Sequence, residues 1–294
     1  MLKIVLLGAD GQLAKAFIKH FAWQNFNTVT LSHKHLDVTN KDALIKALNY
    51  HRPDIVLNCA AYTDVDKAEI HSDLCSRVNT EAPETIAKWC TIHDALVVHF
   101  STDYVFDGQK NSPYSEADIV SPLNVYGLTK LLGELAIKHH ATKYLIFRTS
   151  WLFSSAKNCF VAKMVRRALS KQYTKVVNDQ FGCPNMADDI AHAVLAVIQQ
   201  YAAQKSLPYG IYHLSGTSYC SWYGFASKIF TLAEPSSSRF LTAISSPFPS
   251  SVAARPAYSC LDSSLFQRTF SITLADWQLA LAAVVEEIMS TEQT

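Results

Sequence analysis

Tyr126 and Lys130 stand four residues apart in SPLNVYGLTK, the spacing that places two side chains one turn apart on one helix face. A phenol and an ammonium so placed can act together on a carbonyl. Reducing a ketone requires hydride at carbon and a proton at oxygen. A tyrosine with an unperturbed pKa near ~10 is a poor match to neutral pH, and a neighbouring ammonium is expected to lower that value. Spacing alone decides nothing, because Tyr201 and Lys205 repeat it. Two features set the first pair apart. Tyr126 opens a helical stretch after Pro122, and the apolar run ALVVHF delivers Ser101 and Thr102 to the C-terminal end of a predicted strand. In a parallel sheet that end faces the ligand crevice. The Thr102 hydroxyl would there hydrogen-bond the substrate oxygen and steady developing alkoxide charge. Tyr201 and Lys205 follow no such strand and read as the structural end of a helix.

Hydride chemistry needs a cofactor, and the N-terminal stretch offers a place for one. KIVLL is followed by GADGQLAKAF. Gly8 and Gly11 fall at a strand-to-helix turn, where glycine permits unusual backbone angles and close approach by a ligand. The helix that follows presents unpaired N–H groups and a positive dipole end to a pyrophosphate. The third small position is Ala14, which still allows close helix–strand packing. After the second strand, TVTL, come Ser32, His33 and Lys34, with no carboxylate before Asp37. An acid there suits the ribose 2′-hydroxyl of NAD. A hydroxyl and a cation suit a 2′-phosphate, so NADPH is the expected cofactor, with NADH as the alternative. Lys34 read as a solvated loop charge is the bland counterpart. Asp37 and Val38 fall where the chain would border the adenine.

The elements that must position these residues alternate through the first half. The strand candidates are KIVLL, TVTL, DIVLNCA, ALVVHFS and KYLIFR, with helices beginning near Gly11, Lys41, Ala82 and Pro122. Runs apolar on both faces suit central strands covered on both sides. The fold class is therefore α/β, a Rossmann-type doubly wound parallel sheet with a smaller, mainly helical C-terminal substrate lobe. The expected division is interleaved: 1–150 for the nucleotide-binding domain, with 185–215 returning to it, and 151–184 with 216–294 for the lobe. A helix is predicted over about Ala187–Ala203 and a strand at GIYHL. Beyond Thr217 helix and loop are expected, with Ser/Pro-rich surface loops at 235–238 and 245–251 and a last helix in TLADWQLALAAVVEEIM.

Composition narrows the classes. The chain has 294 residues and a formal net charge of +1, which gives no long-range pull towards nucleic acid or anionic membrane. No apolar run approaches the ~20 residues needed to span a bilayer. LKIVLL meets Gly8 directly and reads as a first strand, not a signal peptide. Seven scattered cysteines without a CxxC pair suit reduced, packed thiols in a cytoplasmic protein.

From residue 8 to 262 the chain resembles the extended short-chain dehydrogenase/reductase family. Within it the chain is similar to the dTDP-4-dehydrorhamnose reductases, through GADGQLA, RPDIVLNCAAYTDVDKAE, VNTEAP, HFSTDYVFDG, SPLNVYGLTK, FRTSW, NDQFGCP and ARPAYSCLD. STDYVFDG together with PLNVYGLTK is far more specific than a lone YxxxK. The resemblance implies NADPH-dependent reduction of the C4 ketone of dTDP-4-dehydro-L-rhamnose to dTDP-L-rhamnose. Thr102, Tyr126 and Lys130 would be catalytic, with Tyr126 the proton donor. Gly8, Gly11, Gln12, Leu13, Asp37, Val38, Ala60, Ala61, Tyr62, Tyr126 and Lys130 would line the cofactor. Thr63, Val65, Thr102, Asp103, Trp151 and Arg255 would face a dTDP-linked 4-keto-6-deoxyhexose. On its own chemistry, Arg255 suits a diphosphate through its guanidinium fork, or else a structural salt bridge. Trp151 suits a sugar face, or else the core.

Sugar-nucleotide 4,6-dehydratases of similar sequence commonly carry Thr-Asp-Glu where this chain has Thr102-Asp103-Tyr104, which argues against water elimination. Some reductases carry a glutamate early in the first helix, linked to a divalent metal at a dimer interface. Ala16 stands here, so no metal is expected, while a homodimer remains the family expectation. The rival functions are a non-catalytic NADP-binding regulatory subunit and a reductase or epimerase of another nucleotide-linked keto sugar. Other constellations read as structural. His33-x-His35 lacks a ligand cluster. His139 and His140 complement a helix C-terminus. Asp188 and Asp189 start a helix. Lys163, Arg166, Arg167 and Lys171 form a basic helical cluster, either a solvated face or a phosphate contact.

Overall fold

The structure, a computed structural model, describes residues 1–21, 26–247 and 251–292. Six parallel strands form the main sheet: β1 (Lys3–Leu7), β2 (Asn27–Leu31), β3 (Ile55–Asn58), β4 (Leu96–Thr102), β5 (Tyr144–Thr149) and β6 (Gly210–His213), in the order β6-β5-β4-β3-β1-β2. Every residue of β3 and β4 is buried, as their unbroken apolar runs predict. The edge strand β2 alternates threonine with apolar residues and is only partly covered. The chain winds outward from β1 to β2, then returns to β3 on the other side of β1. This reversal opens a crevice at the C-terminal ends of the strands.

Helices cover both faces. Gln12–Phe21, Ala187–Gln204 and Ser264–Phe270 pack one side through Phe17, Val194 and Phe266. Lys41–His51, Ala82–Ile92 and Val125–His140 pack the other through Leu48, Ile86 and Ile137. The helix of Tyr126 starts at Val125, not at Pro122, because Asn124 keeps an extended backbone and its Oδ1 accepts the Gly127 N–H at 2.8 Å. The Asn124 amide also donates to Ala254 O at 2.8 Å, which ties this helix to the late segment.

A second core lies beyond the sheet, built by helices Phe160–Leu169, Trp222–Ala233 and Trp277–Glu292. Here the structure departs from the expectation of helix and loop after Thr217. Leu241–Ile244 is a strand paired in parallel with Thr174–Val177, and Cys220–Ser221 pairs with Phe181–Gly182. Residues 235–238 belong to a 3-10 helix, Pro235–Phe240, capped by Glu234, rather than to an open loop. The expected loop at 245–251 lies partly outside the described residues. The last helix begins at Trp277, where Asp276 Oδ1 accepts the Gln278 N–H at 2.9 Å. Within the stretch expected in the lobe, Phe266 and Phe270 pack instead against the sheet. All seven cysteines are free thiols. Among the described residues, no helix is long and apolar enough to cross a membrane.

Candidate active site

The turn after β1 is packed closely against the segment leaving β3. Gly8 has φ +78°, and a Cβ there would meet Ala60 N at 2.6 Å, so even alanine would strike the segment leaving β3. Gly8 and Ala9 N–H groups both donate to Leu31 O, and Gly11 N–H donates to Gly8 O at 3.0 Å. The helix begins at once with Gln12, whose Oε1 accepts from Ser154 Oγ at 2.9 Å. After β2, Ser32 is buried against His35 Nδ1 at 2.9 Å, while His33 and Lys34 are exposed. Asp37 accepts from the Thr39 hydroxyl and N–H, which hold its carboxyl below the usual range. Val38 is buried in the sheet core rather than offering its side chain to the crevice.

A cavity of about 460 Å³ opens at the C-terminal ends of β3, β4 and β5. Of the residues expected at the site, Gly11, Gln12, Leu13, Ala61, Thr63, Val65, Thr102, Asp103, Tyr126, Lys130 and Trp151 line it. Gly8 and Ala60 pack on each other and do not line it. Tyr62 is tied to Asn79, its N–H donating to Oδ1 at 2.8 Å and its carbonyl accepting from Nδ2 at 3.0 Å. Asp37, Val38 and Arg255 do not line this cavity, although Arg255 is hydrogen-bonded to Tyr104, which does.

Burial governs the proton affinities. Lys130 is 2% exposed, and its Nζ donates to Phe100 O at 2.5 Å and lies 3.3 Å from His99 Nε2. Desolvation brings its pKa down to about 8, against the pull of Glu134 and two thiols. Tyr126 corrects an expectation. Its phenol is pushed well above its ordinary value by burial, with the Thr102 hydroxyl acting the other way. The lowering expected from Lys130 is absent because the ammonium end is turned to Phe100 and His99. Asp103 is 2% exposed and accepts from Thr102 Oγ1 at 3.0 Å and Ser259 Oγ at 2.5 Å. Burial raises its pKa to about 7. Thr102 Oγ1 also accepts the Tyr104 N–H at 3.1 Å.

The cavity also holds two residues that the sequence does not single out, Trp222 and Thr149. Trp151 stacks on Trp222 with ring centroids 3.6 Å apart and planes at 13°, and its own backbone sits at φ +44°. A non-glycine residue in that region carries strain, of the sort that gathers at binding sites. Trp222 has no spacing signal, since it follows the Ser221 cap of an ordinary amphipathic helix. Ser101 and Thr149 line the same cavity, and their Oγ and Oγ1 are buried with no hydrogen-bond partner among the described residues. Such groups are costly unless a ligand satisfies them.

Arg255 edges a second cavity of about 500 Å³, with Lys163, Arg167 and Lys175, and Trp222 is common to both cavities. Its Nη2 is 2.7 Å from Asp66 Oδ2, and that partner holds the Asp66 carboxyl at about 2. Both readings of Arg255 therefore coexist, a salt bridge at a cavity edge. The basic cluster splits: Arg166 pairs with Glu292 at 2.9 Å, while Lys163 and Arg167 face the cavity. Elsewhere, Tyr201 is buried in the sheet core and Lys205 ends its helix in the left-handed region. His139 and His140 close the Tyr126 helix, and His140 Nε2 lies 3.4 Å from Glu84. Asp188 and Asp189 sit in a helix's first turn, Asp188 beside Lys19 and His20. Ala16 is buried in the core face of the first helix, and among the described residues no group of three or more His, Cys, Asp or Glu is placed to hold a metal.

Comparisons with known proteins identify the family. A family model described as the RmlD substrate binding domain matches residues 2–290. The dTDP-4-dehydrorhamnose reductase of Aggregatibacter actinomycetemcomitans is 36% identical over 286 residues, covering 96% of this chain and 97% of that protein. The crystal structure of a dTDP-4-dehydrorhamnose reductase from Clostridium acetobutylicum is 36% identical, with a TM-score of 0.89 and 100% of both chains covered. That from Bacillus anthracis, in complex with NADP, is 32% identical with a TM-score of 0.89, covering 97% of this chain and 99% of the other.

Proposed function

This chain belongs to the family of the RmlD substrate binding domain and the dTDP-4-dehydrorhamnose reductases, and on that premise we propose how its own residues carry out the reaction. It is an NADPH-dependent oxidoreductase that reduces the C4 ketone of dTDP-4-dehydro-L-rhamnose to dTDP-L-rhamnose. The residues present fit the cofactor. Gly11, Gln12 and Leu13 bring a helix N-terminus to the cavity, where its N–H groups would meet a pyrophosphate. Ser101 and Thr149 line the same cavity as Lys130, and among the described residues their Oγ and Oγ1 have no hydrogen-bond partner. Ser32 and Lys34 would meet a 2′-phosphate. When bound, NADPH supplies the hydride for C4.

The protein's own work is to deliver a proton and hold the sugar. Burial keeps Tyr126 a phenol at neutral pH, so it carries the proton that the C4 oxygen must receive. Thr102 stands beside it, and turning its hydroxyl from Asp103 to the sugar oxygen gives a second hydrogen bond to the developing charge. The Trp151–Trp222 stack offers the sugar an apolar wall. Beyond it, Lys163, Arg167, Lys175 and Arg255 suit a diphosphate.

Residues 1–150 with 185–215 form the cofactor half of this scheme, and 151–184 with 216–294 the sugar half, apart from the helix Ser264–Phe270. Seven free thiols favour a cytoplasmic home. Homodimers, proposed on the family resemblance, would be seen by light scattering. The observation that carries the reading is the convergence of Thr102, Tyr126 and Lys130 on the cavity that Gly11, Gln12 and Leu13 also line. NADPH absorbance with the dTDP-4-keto sugar tests it. Tyr126→Phe is expected to lower turnover on the order of 10²–10⁴-fold. Near wild-type turnover in that variant would remove Tyr126 from the mechanism.

A further inference from the structure

Asn58 at the end of β3, His99 on β4 and Lys130 form a buried line of side chains, exposed by 2%, 0% and 2%. The hydrogens along it are set from one end. The Ala60 N–H donates to Asn58 Oδ1 at 3.1 Å, which turns the amide Nδ2 to His99 Nδ1, also 3.1 Å away. An amide NH₂ only donates, so His99 Nδ1 accepts. The ring is neutral, because burial and then the lysine charge push its pKa well below the ordinary value. A neutral imidazole with an accepting Nδ1 carries its hydrogen on Nε2. That N–H faces Lys130 Nζ at 3.3 Å, where Nζ already donates to Phe100 O.

We propose that Asn58 and His99 are positioning residues for the reduction, which turn an N–H donor onto Lys130 and so set the pH at which the lysine gives up its proton. An ammonium has three donors and no acceptor, so it meets His99 donor to donor. The amine accepts from Nε2–H while still donating to Phe100 O. The other groups facing Lys130 do not replace His99. Glu134, one turn along the same helix, is taken up by Arg148 at 2.6 and 2.9 Å. Cys59 is pushed upward by burial and Cys75 likewise, so both remain thiols. Tyr126, one turn back, is held as a phenol. None of these four is hydrogen-bonded to Nζ among the described residues.

This inference rests on the reading of Lys130 as the partner of Tyr126. Its consequence is a basic limb in kcat, because as pH rises through the lysine's pKa the cavity that Lys130 shares with Tyr126 loses the positive charge that would steady the negative charge building on the ketone oxygen. Nitrogen-15 spectra of the imidazoles, taken without substrate, read the tautomer directly, with His99→Gln identifying the signal. The Nε2–H tautomer at neutral pH is expected; the Nδ1–H tautomer or an imidazolium would overturn the proposal. Asn58→Asp reverses the line. A carboxylate accepts from both Ala60 N–H and His99 Nδ1–H, which leaves an Nε2 lone pair for the ammonium. The basic limb is then expected to move up by about one pH unit. His99→Gln, which can present an amide oxygen to Nζ, should move it the same way and serves if Asn58→Asp does not fold. A limb that stays in place while kcat falls makes the line merely structural and overturns the proposal. Wild-type protein without sugar-dependent turnover would instead sink the functional reading, leaving the tautomer result to stand by itself.

Discussion

Gly182→Ala should disturb the sugar wall through a single contact. A Cβ at Gly182 would meet Trp151 Cε2 at 2.4 Å, Nε1 at 2.6 Å and Cζ2 at 2.8 Å. Non-bonded carbons settle at ~3.5–4.0 Å, so the indole must move by about an ångström. It is stacked on Trp222 at 3.6 Å, and its backbone is set at φ +44°, so the movement carries a cost. Overpacking of this kind destabilises by about 1–3 kcal/mol, and a disturbed aromatic pair forfeits about 0.5–1.5 kcal/mol of that. Because Trp151 lines the cavity, KM for the nucleotide sugar should rise about tenfold, equivalent to ~1.4 kcal/mol. The assay is urea unfolding of the wild type, Gly182→Ala, Trp151→Ala and the double variant. If the indole is the obstacle, Gly182→Ala costs less than about 0.5 kcal/mol once Trp151 is alanine. An equal cost in both backgrounds would refute the reasoning, because it would place the strain in the Gly182 backbone.

Two further outcomes follow from the site. Asp103 has its pKa raised to about 7 by burial, so the stability it contributes is full below the unfolded value of 3.8 and is lost as pH rises through about 7. Asp103→Asn should flatten that decline, seen as urea midpoints that no longer fall between about pH 4 and 7; an unchanged slope would assign it to another group. Lys34 is exposed after β2, so Lys34→Ala should raise KM for NADPH about fivefold, ~1 kcal/mol, and leave KM for NADH unmoved. Equal changes for both cofactors would remove Lys34 from 2′-phosphate recognition.

The sheet was legible because β1, β3, β4 and β5 are covered on both faces, and such strands write themselves as unbroken apolar runs. Thr102, Tyr126 and Lys130 were legible because a strand end and a helical spacing place them by local geometry alone. What failed to show depends on distant partners. The helix start moved from Pro122 to Val125 because Asn124 is held as a cap, with its amide on Ala254. Leu241–Ile244 is too short to announce itself and exists as a strand through its pairing with Thr174–Val177. Trp222 meets Trp151 only after the second core has folded. The direction of the Tyr126 shift was misjudged for the same reason: i to i+4 spacing places two side chains near each other, but it does not say where a long lysine points. Here Phe100 O and His99 decide that.

The three shifted groups share one cause, and it bears on the direction of the chemistry. Burial disfavours charge of either sign, so it raises Tyr126 and Asp103 and lowers Lys130. At neutral pH Tyr126 therefore holds its proton, Asp103 sits near the midpoint of titration, and Lys130 remains mostly an ammonium. Ketone reduction consumes one proton at oxygen in each turnover, so a site that keeps its acid loaded is matched to that direction. Alcohol oxidation would need the phenolate, which burial opposes here. Rising pH should thus act first on Lys130 and Asp103, well before the phenol itself ionises. The alkaline loss of reductase activity then reports the surroundings of the lysine, and oxidation should stay slow until a positive charge is brought to the phenol.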